Sequence, residues 1–231
     1  MRWGCFLKIN SFQQHKYHIN RKPNGKDTPP HWLCLTREIY TLSQAGLAYS
    51  KNDFDLERYR RLQEISAEII SGQSALEKEA ILESFSIQAG YPTPKVDVRG
   101  AVIRDGKILL VQEITDGCWS LPGGWADLGE SPQEMVEREV LEESGMTVKA
   151  QKVLAVYDAN RVNPLEFYHA YKIIFLCEIV SGEPTPSYET PDVRFFDPAE
   201  LPPLSPFRTN QRILDEILAH IANPDRPTVF D

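Results

Sequence analysis

The segment from Ser131 to Gly145, SPQEMVEREVLEESG, constrains the fold more than any other, because both ends of one helix are written into it. Ser131 is a good N-cap, Pro132 suits the first helical position, and Glu134 completes an S-x-x-E capping box. Gly145 can take the left-handed conformation that closes a helix. Together they predict a helix of about three and a half turns. At about 100° per residue, Glu139, Glu142 and Glu143 fall within an arc of about 100°, with Val136, Val140 and Leu141 on the adjoining side. One face is apolar and the next is acidic.

Like charges three and four residues apart cost an isolated helix a few tenths of a kcal/mol per pair. Such a face is either solvated or neutralised by a cation, and oxygen-only ligands at this density suit a hard divalent ion, Mg²⁺ or Mn²⁺. For three glutamates alone, solvation is the simpler reading. The preceding Leu121-Pro122-Gly123-Gly124 shifts the balance. A diglycine lets backbone approach a ligand closely and offers a carbonyl to a metal. A turn before a helix N-terminus points amides where a phosphate can sit. Arg138, four residues before Glu142 and four after Glu134, is placed to orient carboxylates by charge-assisted hydrogen bonds.

At 231 residues the chain allows one large domain or two small ones. Residues 1–31 are basic and acid-poor, with Arg2, Lys8, Lys16, Arg21, Lys22 and Lys26 against Asp27. They read as a disordered extension, with a targeting peptide or an upstream start codon as alternatives. From Trp32 the spacing is helical: Leu35, Ile39, Leu42 and Gly46, then Leu56, Tyr59, Leu62, Ser66 and Ile69 after Asp55. A second capping box, Ser74 to Glu77, predicts a third helix closing near Gly90. Residues 32–90 thus make a small all-helical domain. Fewer than about 70 residues rarely sustain an independent core, so its apolar faces are expected to pack on the second domain or on another subunit.

Tyr91-Pro92-Thr93-Pro94 opens a linker over 91–95, and residues 96–231 change to strands. Val96 to Ile103 and Lys107 to Gln112 flank Asp105-Gly106, a strong hairpin signal. Val153 to Tyr157, Tyr168 to Ile179 and Val193 to Phe196 follow, and Ile213, Leu214, Ile217, Leu218 and Ile221 mark a last amphipathic helix. Strands on both sides of the 131–145 helix, plus the terminal helix, fit an α/β/α sandwich with a mixed sheet.

A formal net charge of −8 argues against nucleic acid as the main partner. The strongest apolar run, Ile173 to Cys177, is far too short to span a bilayer. Cys5, Cys34, Cys118 and Cys177 form no C-x-x-C pair and read as reduced thiols of a cytoplasmic protein.

Gly124, five residues, Glu130, seven residues, then Arg138, Glu139, Val140, Leu141, Glu142, Glu143, Ser144, Gly145 and Met146 form a register that resembles the Nudix box without a departure. The likeness extends over about residues 32–225, through VDVRGAVI, DGCWSLPGGWADLGESP, AVYDANR, YKIIFLCEI and ETPDVRFFDPAELPPLS. These resemble the subgroup with an N-terminal domain that hydrolyses nucleoside diphosphates linked to another moiety, such as ADP-ribose and CDP-choline pyrophosphatases. The resemblance implies metal-dependent attack of water on the diphosphate bridge, and a homodimer through the N-terminal helices. It places the metal on Glu139, Glu142, Glu143 and the Gly123 carbonyl, with Glu130 supporting loop and helix and sometimes ligating. Arg138 is a supporting group for these carboxylates. Glu139 and the loop acid Glu189 are the candidate bases, with a plain surface acid as the alternative for Glu189.

Substrate contacts are more open. Gly124 and Asp158 are candidates near the substrate. Trp119, Trp125, Tyr157 and Phe167 can stack on a base or belong to the core. Arg99 is a candidate for bidentate bonds to the diphosphate, with a structural ion pair as its alternative. Arg161 and His169 are weaker candidates. Two other functions stand beside the main reading: a Nudix-fold regulator that binds ADP-ribose without cleaving it, and a nucleoside triphosphate pyrophosphatase.

Overall fold

The computed structural model describes residues 30–74, 76–86, 90–159 and 169–231. The chain divides into two compact units, one running to Thr93 and one from Pro94 to Asp231. Most of the expected extension 1–31, together with Arg161 and Phe167, lies outside the described residues.

Among its described residues the first unit holds three helices, α1 (His31–Tyr49), α2 (Asp53–Ser71) and α3 (Lys78–Ser86). Leu33 and Tyr40 of α1, Ala67 and Ile70 of α2, and Ile81 and Phe85 of α3 are buried, and the Tyr40 and Phe85 rings lie 4.3 Å apart. Two helix starts differ from expectation. Asn52 caps α2, its Oδ1 accepting from Phe54 N, so the helix begins before the Leu56 at which the expected spacing opened. The Ser74 to Glu77 box does not form: Ser74 Oγ accepts from Leu76 N and closes a local turn, and α3 begins only at Lys78. A serine that bonds two residues ahead offers the backbone a turn in place of a helix start.

Among its described residues the second unit is a seven-stranded mixed sheet with a helix on each face. Strand β1 (Lys95–Arg104) turns through Asp105 and Gly106, both at positive φ, into β2 (Lys107–Gln112). Beside β2 lie the two-residue β3 (Trp119–Ser120) and, on its other edge, β6 (Val193–Phe196). On its far side β1 pairs in parallel with β5 (Ala170–Ser181), from Lys95↔Ala170 to Val102↔Cys177. Antiparallel to β5 runs β4 (Thr147–Asp158), and β7 (Val229–Phe230) closes that edge.

Because side chains alternate along a strand, β1 feeds two cores. Val98 and Val102 meet Met135, Val136 and Val140 of α4 (Pro132–Ser144). Ala101, with Ile108, Leu110 and Ile174, meets Ile213, Leu214 and Ile217 of α5 (Gln211–Ala222). Gly100 is what lets α4 come close, since a Cβ there would lie 2.5 Å from Val140 Cγ2.

The α4 capping box is present in both directions, and Gly145 closes the helix at φ 71°. Leu141, expected beside Val136 and Val140, is instead 46% exposed, because it sits a further 100° round the helix, past the edge of the sheet contact. Strand β4 starts earlier than its alternation announced: register shifts near Ala150 and Val153 interrupt the period-two pattern over its first half.

Candidate active site

The loop before α4 runs alongside β1. Gly100 N donates to Pro122 O over 2.9 Å, Val98 N to Gly124 O over 2.9 Å, and Ala126 N to Val96 O over 2.8 Å. Between them, Gly123 N faces the helix and donates to Glu143 Oε2 over 2.8 Å. Gly123 has φ 140°, and a Cβ there would fall 2.0 Å from Val98 O, so only glycine fits. A Cβ on Gly124 would come within 3.1 Å of Glu139 Oε2, so its absence keeps that carboxylate uncrowded.

On α4 a single guanidinium faces four carboxylates. Arg138 donates to Glu130 through Nε and Nη2 (both 2.9 Å), to Glu139 (2.9 Å) and Glu142 (2.8 Å) through Nη1, and to Asp127 through Nη2 (3.3 Å). Glu130 therefore holds Arg138, which keeps its carboxyl below the usual range. Burial pushes the Glu139 carboxyl up against the pull of Arg138. Burial pushes Glu143 up to about 8, against the charge of Arg99 and the Gly123 N–H. Arg138 thus faces four carboxylates, while burial is the first cause of the raised Glu139 and Glu143 carboxyls.

The wall opposite α4 is the turn Ser187–Thr190. Ser187 Oγ accepts from Glu189 N and Thr190 N, both over 3.2 Å, and Thr190 Oγ1 donates to Glu143 O. This anchors Tyr188 and Glu189 beside the helix. Arg138, Glu139, Glu142, Glu143, Ser187, Tyr188 and Glu189 line an open cleft of about 420 Å³.

Among the described residues, no group of three or more His, Cys, Asp and Glu side chains is gathered to hold a metal ion. The reason is visible: Arg138 Nη1 takes both Glu139 and Glu142, while Glu143 is turned to Gly123. The donor chemistry nonetheless fits a hard divalent cation, being all oxygen, in excess of the available positive charge, and beside an uncrowded glycine.

The remaining candidates do not line this cleft. Arg99 is 4% exposed and takes the ion-pair alternative, donating to Asp97 through Nε (2.8 Å) and Nη2 (3.0 Å). Trp119 is a core residue, edge-on to Phe196 at 4.6 Å. Trp125 is half-buried with the Lys95 ammonium 5.6 Å from its ring centre. Tyr157 is buried, with the Arg212 guanidinium over its ring. Asp158 meets His169 at 3.3 Å and takes no part in lining the cleft.

Four residues escaped sequence reasoning: Asp127, Tyr188, Thr190 and Glu113. Glu113 is 8% exposed, held by Ser120 and Arg208, and its charge reaches both Arg99 and Glu143. Only Tyr188 had a signal, its adjacency to Glu189.

The chain is similar to proteins already known. A family model described as UDP-X-like, N-terminal oligomerisation domain matches residues 30–85, and the NUDIX domain model matches residues 94–217. YjhB of Bacillus subtilis (strain 168), provisionally named an ADP-ribose pyrophosphatase, is 42% identical over 87% of this chain and 97% of its own. A crystal structure of a UDP-X diphosphatase superposes with TM-score 0.57 at 31% identity, covering 87% of this chain and 98% of that one. The crystal structure of an ADP-ribose pyrophosphatase from Streptococcus suis 89-1591 gives TM-score 0.56 at 41% identity, over 60% of this chain and 100% of that one. Among the described residues no helix is long and apolar enough to cross a membrane. With its box helix capped as the register demands and its glutamates gathered on one cleft, the chain belongs to the Nudix family and is a pyrophosphohydrolase acting on phosphorus-containing anhydrides.

Proposed function

We propose that this chain hydrolyses the diphosphate bridge of a nucleoside diphosphate linked to another moiety, with ADP-ribose as the leading substrate and CDP-choline as the alternative. The products are a nucleoside monophosphate and the phosphorylated second moiety. One observation carries the reading: Arg138, on which four carboxylates converge, lines one cleft together with Glu139, Glu142, Glu143 and Glu189. The names of YjhB and of the Streptococcus suis enzyme support ADP-ribose, and that of the UDP-X diphosphatase supports the wider substrate class.

Glu139, Glu142, Glu143 and the Gly123 carbonyl would hold a divalent cation, Mg²⁺ or Mn²⁺, which when bound polarises the phosphoryl oxygens and acidifies water, an effect worth several kcal/mol. Glu130 keeps Arg138 in place beside these carboxylates. Glu139, the more sheltered, accepts the proton of the attacking water, and Glu189 at the rim is the second candidate. The helical unit joins copies of the chain, a reading supported by the description of its family model and by exposed Leu35, Leu42 and Tyr49, spaced seven apart along α1.

The test is phosphate-coupled hydrolysis of ADP-ribose, CDP-choline, NADH, dinucleoside polyphosphates and 8-oxo-dGTP, with Mg²⁺ or Mn²⁺ and with EDTA. Metal-dependent release of AMP from ADP-ribose, or of CMP from CDP-choline, supports the reading. Turnover confined to 8-oxo-dGTP, or ADP-ribose binding without turnover, overturns it.

A further inference from the structure

We propose that Arg99 is a positioning residue, fixing the Leu121–Gly124 loop so that the Gly123 N–H addresses Glu143. The proposal rests on the reading of the cleft given above. Under the loop, Lys172, Asp97 and Arg99 are 2%, 3% and 4% exposed. Lys172 Nζ donates to Asp97 Oδ2 over 3.2 Å, and Asp97 accepts two bonds from Arg99. Replacing buried ion pairs by apolar residues is often neutral or stabilising. Stability alone therefore does not account for three charges here.

What the triad achieves is a fixed guanidinium. With Nε and Nη2 both on Asp97, the fork cannot rotate, and Nη1 is aimed at Leu121 O over 3.1 Å. Leu121 N is held in turn by Thr209 Oγ1 over 2.9 Å. Both polar groups of Leu121 are thus gripped by side chains from distant segments. Two residues on, Gly123 is pressed against Val98 O and Arg99 Cα, and its N–H reaches Glu143. Support runs without a gap from Lys172 through Asp97, Arg99 and Leu121 to the Gly123 amide.

Arg99→Lys keeps the charge but cannot both chelate Asp97 and reach Leu121 O. In ¹⁵N-glycine-labelled, metal-free protein, the Gly123 amide proton is expected to move upfield as its bond to Glu143 weakens. With substrate and metal, kcat is expected to fall about 10-fold or more while KM stays within about threefold, the pattern of an interaction made in the transition state. An unmoved Gly123 resonance, or a raised KM with kcat kept, overturns the proposal. Should Arg99→Lys fail to fold, Lys172→Met loosens the same triad from its other end and is judged by the same resonance. That resonance needs no turnover. Failure of the parent chain on the whole substrate panel would therefore overturn the reading of the cleft while leaving the loop result to be judged separately.

Discussion

Thr190 Oγ1 donates to the main-chain carbonyl of Glu143 over 2.5 Å, across 47 residues of sequence. Carbonyls in the last turn of a helix lack partners within it, and here the turn carrying Glu189 supplies one. Thr185 N does the same for Ser144 O. Thr190 is 1% exposed, so valine keeps the shape and removes only the hydroxyl. Thr190→Val is expected to cost about 1 to 3 kcal/mol in stability and to lower kcat about 3- to 10-fold by releasing Glu189. The check is a double-mutant cycle with Glu189→Gln: the two losses should be far from additive, and additivity would show that the tether does not act through Glu189.

The two glycines of the loop should respond differently to alanine. A Cβ at Gly123 meets backbone, 2.0 Å from Val98 O, at a φ that side chains rarely adopt. Nothing there can give way, so Gly123→Ala is expected to lose more than about 4 kcal/mol or to fail to fold. At Gly124 the Cβ meets only the Glu139 carboxylate, at 3.1 Å. Gly124→Ala should melt within a few degrees of the parent yet lose activity. Thermal melts and turnover of both variants decide the matter, and a parent-like melt for Gly123→Ala would refute the packing of the loop against β1.

Glu143 sets a pH dependence. Burial raises its carboxyl from 4.5 to about 8, so between those values the folded chain holds a proton that the unfolded chain has lost. Stability from this group is therefore complete below about pH 4.5 and declines as pH rises through about 8 in metal-free protein. A divalent cation competes for the same oxygen, so the Tm gain from Mg²⁺ should be larger at pH 8 than at pH 6. Glu143→Gln should flatten both trends and lower turnover about 10²-fold or more. Unchanged turnover in that variant would remove Glu143 from the metal set.

How far the sequence speaks depends on how local each determinant is. Helix α4 was legible because Ser131, Glu134 and Gly145 act within one turn of its ends. The same motif at Ser74 misled, since one hydrogen bond to Leu76 N diverts the chain into a turn before a helix can start. The three glutamates were legible as a face, but not the state of that face, because Asp127 and Glu130 reach Arg138 through loop geometry that has no period. Arg99 left two alternatives open for the same reason: its burial depends on Lys172, 75 residues beyond its partner Asp97, brought into register only by the parallel β1 and β5 pairing. Thr190 and Glu113 gave no sign because each meets its partner across a long stretch of sequence, Thr190 the Glu143 carbonyl and Glu113 the Arg208 guanidinium.

The helical unit supplies the last prediction. Leu35, Leu42 and Tyr49 are 45%, 60% and 71% exposed and recur every seven residues, which places them along one stripe of α1. The opposite face of α1 is spent on Leu33, Tyr40 and their neighbours inside the unit, so this stripe is not needed for the three-helix core. A sustained seven-residue apolar repeat is the pattern by which helices associate, and it is offered here by a segment whose family model is described as an oligomerisation domain. Leu42→Glu in the full chain would place a charge at the middle of that stripe, where burial without a partner is costly. Light scattering after size exclusion should then report a smaller assembly than the parent, with helix content unchanged by circular dichroism. An identical mass for the two proteins would exclude this face of α1 from the interface.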